Sequence, residues 1–326
     1  MDKPAAAQAP FFALSDHALL ALEGRDAIAF AQAQFMGDLS KLADGQWQWS
    51  GWLTPKGRVQ ALFALLRVGP ETLRLLLPDG DADALAAALG RFVFRSKVKL
   101  RVPEGLSVCG AFAAPGGAGG AGGATVAPDA TVASGATARI DADGSVELDF
   151  GDGTTPRTLR IALSGSAGVP GADAGDAAAA GPRIDADALA RWRAFDIAHG
   201  LPRPGAATLE AFTPQQLSLD RLRGYSVHKG CYPGQEIVAR THFLGQAKRG
   251  LVLFGCAVAP TAGASVMEGD RALGTVVAGA SAAGQAPGHA ALALAVLPLE
   301  RADDAPLPHI DGAALTQLPL LDGLAR

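Results

Sequence analysis

The stretch from Gln46 to Val68 limits the architectures open to this chain more than any other. Trp47 and Trp49 alternate with Gln46, Gln48 and Ser50, and the turn Thr54-Pro55-Lys56-Gly57 leads into the apolar run Val59–Val68. Alternation at period two puts large rings on one face of a strand, and Pro-Lys-Gly supplies turn chemistry between two such runs. The spacing therefore predicts strand–turn–strand, which needs further strands beside it. Thr72–Leu77 reads as the next strand, and Asp79–Leu89 as an Ala/Leu-rich helix with acidic residues in its first turn. Upstream, residues 17–42 carry a helical signal, with Ile28, Phe30, Ala31, Phe35 and Leu39 at spacings of one to four and Gly24 before the helix start.

Residues 94–102 alternate again. Period two would place Arg95, Lys97, Lys99 and Arg101 on one face and Val98, Leu100 and Val102 on the other, a half-buried strand with a basic face. A middle strand pair is expected near Ser145–Phe150 and Thr158–Leu163, between Gly/Ala-rich loops at 114–123 and 165–182 that cannot repay their ordering entropy by burial. Residues 185–200 read as a helix, opened by Asp185 or Asp187 and closed by Gly200-Leu201-Pro202, with Leu189, Trp192 and Ile197 on its apolar face. From Arg249 onward short strand-like runs recur at Leu251–Phe254, Gly274–Ala278 and Ala290–Val296, the mark of a small β-barrel.

Composition narrows the function classes. Of 326 residues 49% are hydrophobic and 18% charged, enough apolar material for a sizeable core. The net charge of −4 argues against a surface wholly given over to nucleic acid and leaves local patches open; direct nucleic-acid binding is not expected. Three scattered cysteines, Cys109, Cys231 and Cys256, fit neither a disulfide framework nor a structural zinc site, and no metal-ligand set is read. With no signal peptide and no apolar run of about 18 residues, a cytoplasmic protein away from the membrane is expected.

The chemistry concentrates in residues 224–242, Gly-Tyr-Ser-Val-His-Lys-Gly-Cys-Tyr-Pro-Gly-Gln-Glu-Ile-Val-Ala-Arg-Thr-His. Gly230 and Gly234 flank Cys231 and free the backbone for turns closed to other residues. Lys229 stands two positions before the thiol, and a neighbouring cation favours thiolate. Glu236 could oppose it, or pair with Lys229 or Arg240. Cys109 and Cys256, in apolar strand-like contexts, read as small buried hydrophobes. The candidate working thiol is Cys231. A thiol hydrolase using His228 or His242 as its base would need spatial contact that sequence proximity does not establish.

Lys229-Gly230-Cys231-Tyr232-Pro233-Gly234-Gln235-Glu236 resembles the K-G-C-Y-x-G-Q-E motif of YgfZ-type proteins, relatives of the glycine-cleavage T protein, an aminomethyltransferase. Phe212-Thr213-Pro214-Gln215, Ile237–Thr241, the stretch from Leu22 to Gln34 and the turn Thr54–Arg58 are similar to the same family, and the resemblance is weakest over 111–182. It implies an α+β, GcvT-like fold of three units around a central folate-binding channel, closed by a C-terminal β-barrel, with residues 1–110, 111–247 and 248–326 as the expected units. It implies a folate-binding accessory protein, with tetrahydrofolate or a folate derivative as cofactor, acting in iron–sulfur cluster assembly or repair through Cys231, with an indirect effect on tRNA modification. The partners so implied are folate and iron–sulfur assembly proteins or their client enzymes, around a monomer. The cofactor-site residues it marks are Trp192, Lys229, Gly230, Tyr232, Gly234, Gln235, Glu236 and Arg240. A second family tryptophan falls near His17, which is not Trp here, and the basic residues of 95–101 would meet a glutamyl tail. The alternative is a folate-dependent aminomethyltransferase or another one-carbon transferase. Those enzymes carry an acid after the Lys-Gly turn, and Gly57–Leu62 has none.

Overall fold

The structure is a computed structural model that describes residues 11–116, 124–125, 136–163, 182–245, 247–301 and 306–326. Most of the Gly/Ala-rich segments 114–123 and 165–182 lie outside the described residues. Three sheets organise the chain. The first runs Lys99–Arg101, His17–Glu23, Thr72–Pro78, Val59–Gly69, Gln46–Leu53 and Ala136–Thr137, each antiparallel to its neighbour. The expected strand–turn–strand sits at its centre, with Gln46 opposite Arg67 and Leu53 opposite Val59. Helices α1 (Ala27–Gln34) and α2 (Ala82–Gly90) bury Ala27, Phe30, Leu85 and Leu89 against one face, where Leu20, Leu22, Phe63 and Leu75 point. Asp81 caps α2 by accepting from the Ala84 amide, as the acidic first turn predicts.

The second sheet runs Phe12–Ala13, Leu106–Ala111, Thr158–Leu163, Val146–Asp149, Arg139–Ile140 and Ala124–Thr125. Beside it stands α3 (Ala186–Ala198), capped by the Asp185 carboxylate at the Ala188 amide. The third sheet runs Ala313–Ala314, His309–Ile310, Ser265–Glu268, Arg271–Ser281, Ala291–Pro298, Arg249–Cys256 and Thr316–Leu318. Its two edge strands are nearly consecutive in sequence, so the sheet curls into a nearly closed barrel, as the C-terminal pattern predicts. All three sheets share one core. Trp47 stacks on Phe150 at 5.0 Å, and Trp192, Leu253, Val277 and Leu294 complete the cluster.

Two elements differ from expectation. His17–Glu23 is a strand, and the helix is confined to Ala27–Gln34. Leu19 through Leu22 are all buried, Leu19 in the shared core and Leu20 and Leu22 under the helices. A strand covered on both faces shows no alternation, so its apolar run blends with the helical signal that follows. In the segment 94–102, only Lys99–Arg101 joins the sheet, as an edge strand. Asp26 accepts from the Lys97 amide at 2.6 Å, taking the donor a strand neighbour would have used. Val98 is buried as expected, but Leu100 is half-buried and Val102 exposed.

Candidate functional site

Stretches far apart in sequence meet around residues 229–236. Gly234 precedes α4 (Gln235–Leu244) with φ +78°, and a Cβ there would fall 2.5 Å from the Thr54 carbonyl oxygen and 2.7 Å from the Gly57 α-carbon. Gly57, at φ +70°, is equally confined, since its Cβ would lie 2.7 Å from that of Ile237. Backbone touches backbone here, which only glycine permits. The Val59 amide donates to the Phe212 carbonyl at 2.8 Å, Arg58 donates to the Ala211 carbonyl at 2.7 Å, and the Gln215 amide group donates to the Val238 carbonyl at 2.9 Å. The turn 54–58, the segment 211–216 and the Cys231 loop thus form one assembly.

Within the loop, Lys229 is only 7% exposed, and its Nζ donates to the carbonyls of Phe35 at 2.7 Å and Gly37 at 2.8 Å. The ammonium that sequence proximity places beside Cys231 is directed to the carbonyls just past α1. Burial pulls Lys229 down to about 8, against the opposing field of Asp38. The Tyr232 hydroxyl donates to the Ser226 carbonyl at 3.0 Å, with burial pushing its phenol upward, and Gln235 donates to the Lys229 carbonyl at 3.1 Å. Cys231 itself is exposed, between neighbours pinned on both sides. Gly230 has open space around its α-carbon. Glu236 and Arg240 are exposed and form no ion pair among the described residues. His228 and His242 both lie against Phe243, and no hydrogen bond joins either to Cys231. Cys109 and Cys256 are buried, and burial pushes both thiols up.

A cavity of about 650 Å³ opens beside this assembly, with Pro55 and Pro233 in its near wall. Trp52, Leu62, Leu77 and Phe92 supply apolar surface, and Gln60, Asp79, Asp81 and Glu210 supply polar groups. Trp52 and Phe92 meet edge-to-face at 5.8 Å, and the buried Trp52 Nε1–H has no hydrogen-bond partner. The wall strand after the Lys-Gly turn carries no acid. The carboxylates come from elsewhere, which sequence proximity could not reveal.

Trp192 lies fully buried in the shared core and outside the cavity wall. The Arg157 guanidinium sits between the rings of Trp192 and Phe195, 3.9 Å from each centroid, and the Trp192 Nε1–H is unpartnered. Arg157 opens a buried ionic network that the sequence reading missed. It pairs with Asp196 at 2.8 Å, and Arg203 joins Asp196 at 3.0 Å, Asp79 at 2.7 Å and Asp16 at 2.6 Å. His17 bonds Asp16 at 2.7 Å. Burial alone would raise the Asp16 carboxyl, but His17, Arg203 and Arg193 hold it well below the usual range. The available signal was Asp196, a charge among the apolar residues of α3. Through Asp79 the network reaches the cavity wall.

Among the described residues, no three His, Cys, Asp or Glu side chains gather to hold a metal ion, and no helix is long and apolar enough to cross a membrane. No protein-family model matches the chain. The tRNA-modifying protein YgfZ of Pectobacterium carotovorum subsp. carotovorum is 27% identical over 238 residues, 73% of this chain and 68% of its own. That of Vibrio vulnificus is 26% identical over 267 residues, 80% of this chain and 74% of its own. The aminomethyltransferase T of the glycine cleavage system from Bartonella henselae shares the fold at a TM-score of 0.66, with 16% identity, over 99% of this chain and 88% of that one. In sequence the chain is thus similar to YgfZ-type proteins, and its fold is GcvT-like.

Proposed function

We propose that the protein binds a folate, tetrahydrofolate or a derivative, in the cavity beside the Cys231 loop and serves iron–sulfur cluster assembly or repair with Cys231 as its working thiol. The observation that carries this reading is an exposed thiol on a loop locked at Lys229, Tyr232, Gly234 and Gln235, next to a cavity of about 650 Å³. That volume is in the range of cofactor pockets. The residues present fit a pteridine: Trp52 and Phe92 offer aromatic faces, and Asp81 and Glu210 offer acceptors for an exocyclic amine. A bound tetrahydrofolate would supply a reduced pteridine and a one-carbon carrier. Lys229, Tyr232, Gly234 and Gln235 act by fixing the loop. Trp192 and Arg157 brace the core from behind.

Thiolate is a soft ligand suited to iron–sulfur chemistry, and clusters generally take four protein ligands. Cys231 therefore works in a transient site shared with a partner, an iron–sulfur assembly protein or a client enzyme. The relatives' designation as tRNA-modifying proteins fits a route through iron–sulfur enzymes that modify tRNA. The alternative, aminomethyl transfer, would have to recruit Asp79, Asp81 or Glu210, and Asp79 is already held by Arg203.

Titration with tetrahydrofolate, read by quenching of tryptophan fluorescence, tests the folate assignment. Saturable quenching, lost in Ala84→Trp, which fills the cavity from an exposed position on α2, is expected. Undiminished binding by Ala84→Trp would move the folate elsewhere. Tetrahydrofolate-dependent glycine cleavage with the partner proteins would favour the transferase reading.

A further inference from the structure

We infer that the surface of residues 91–101 binds single-stranded nucleic acid, independently of the folate and thiol chemistry. The chain as a whole carries a charge of −4, yet Arg91, Arg95, Lys97 and Lys99 lie close together on this one segment, all exposed. None of the four forms an ion pair with a carboxylate among the described residues. Arg101 is held by Glu23 at 2.8 Å and does not count toward the free charge. Among these cations Phe94 projects with 85% of its surface exposed, while Phe92 turns back onto Trp52.

The backbone beneath is fixed. Gly24 passes so close under the segment that a Cβ there would collide with the Lys97 carbonyl, and the Asp26 carboxylate takes the Lys97 amide. Lys99 and Arg101 pair in register with Glu23 and Ala21. Cations and ring are therefore displayed on an ordered platform, which lowers the entropy lost when a ligand binds. An exposed aromatic face amid unpaired cations suits a polyanion that carries flat, unstacked rings, because stacking and phosphate attraction act on the same strand. A membrane surface fits less well, since a single protruding ring gives little apolar area for insertion. A glutamyl chain would use the cations and leave Phe94 without a role.

Fluorescence anisotropy with a labelled oligouridylate of about 15 nucleotides, without folate, tests the inference at several salt concentrations. Four phosphate contacts predict a slope of log affinity against log salt of about −3. The triple variant Arg95→Glu, Lys97→Glu, Lys99→Glu should bind at least about 100-fold more weakly, with a much shallower slope. Phe94→Ala should cost roughly 10-fold at an unchanged slope, and duplex RNA should bind more weakly than the single strand. Both substitutions fall on exposed side chains, and thermal melts matching the parent protein confirm folding. Equal binding by the variants overturns the inference. So does capture by phosphatidylserine vesicles with no oligonucleotide binding, or displacement by a folate pentaglutamate with Phe94→Ala silent. Arg91 also lines the cavity and is left unchanged in the variants, so loss of Cys231 function or of folate binding is read separately from this assay.

Discussion

Gly230 and Gly234 flank the same thiol, yet the structure assigns them opposite sensitivities. Gly234 adopts φ +78°, and an added Cβ would lie 2.5 Å from the Thr54 oxygen and 2.7 Å from the Gly57 α-carbon. Both obstacles are backbone, so neither can swing aside as a side chain would. The left-handed conformation costs an L-residue about 1–2 kcal/mol. Forcing apart two packed segments adds about 1–3 kcal/mol. Gly234→Ala should therefore destabilise the protein by about 2–5 kcal/mol and lower its melting temperature by roughly 3–7 °C. At Gly230 nothing lies within 4 Å of the added carbon and φ is not positive. Gly230→Ala should change stability by no more than about 0.5 kcal/mol. Thermal melts and urea titrations of both variants, read against the same baseline, provide the comparison. Near-native stability of Gly234→Ala, or equal losses in the two variants, would refute the claim that the loop is locked through the 54–57 turn.

Arg203→Met strips Asp16, Asp79 and Asp196 of a shared partner, and urea denaturation should show a loss of roughly 3–5 kcal/mol. The Asp16 carboxyl is held below its unfolded value, so its contribution is present above about pH 4 and is lost as pH falls toward its folded value. Asp16→Asn should flatten acid denaturation over that window. Lys229 titrates at about 8 in the folded protein against an ordinary value of 10.5. Between these values the unfolded chain binds more protons, so this group makes stability rise with pH from about 8 to 10.5. Unfolding free energies over that range should lose the rise in Lys229→Met, which at pH 7 should also be destabilised by about 1–3 kcal/mol through the unpaired Phe35 and Gly37 carbonyls.

Much of the fold was legible because local patterns agreed with it. The Trp47/Trp49 alternation, the Pro-Lys-Gly turn, the Asp81 and Asp185 caps and the C-terminal apolar runs each carry their own element. Leu19–Leu22 misled because burial on both faces erases the period that separates strand from helix. At the site, the motif singled out Cys231, but sequence distance hid the partners. Lys229 reads as a neighbour of the thiol, and only the fold brings the carbonyls of Phe35 and Gly37 to it. The cavity carboxylates and the Arg157–Asp196–Arg203–Asp16 network join residues too far apart for any local pattern to connect. In the basic segment, charge was visible in the sequence. The exposure of Phe94 was not, since period two does not survive where Asp26 takes the Lys97 amide.

The central claim is that Cys231 performs the chemistry while the residues around it hold it in place. The activity of an iron–sulfur tRNA-modifying enzyme, measured in cells that lack this protein and are supplied with either the parent chain or Cys231→Ala, tests it most directly. Cys231 is exposed, so the substitution should leave folding intact, with a melting curve that overlays the parent's. The account predicts that the parent chain restores enzyme activity and Cys231→Ala does not. Full restoration by a normally folded Cys231→Ala would contradict it.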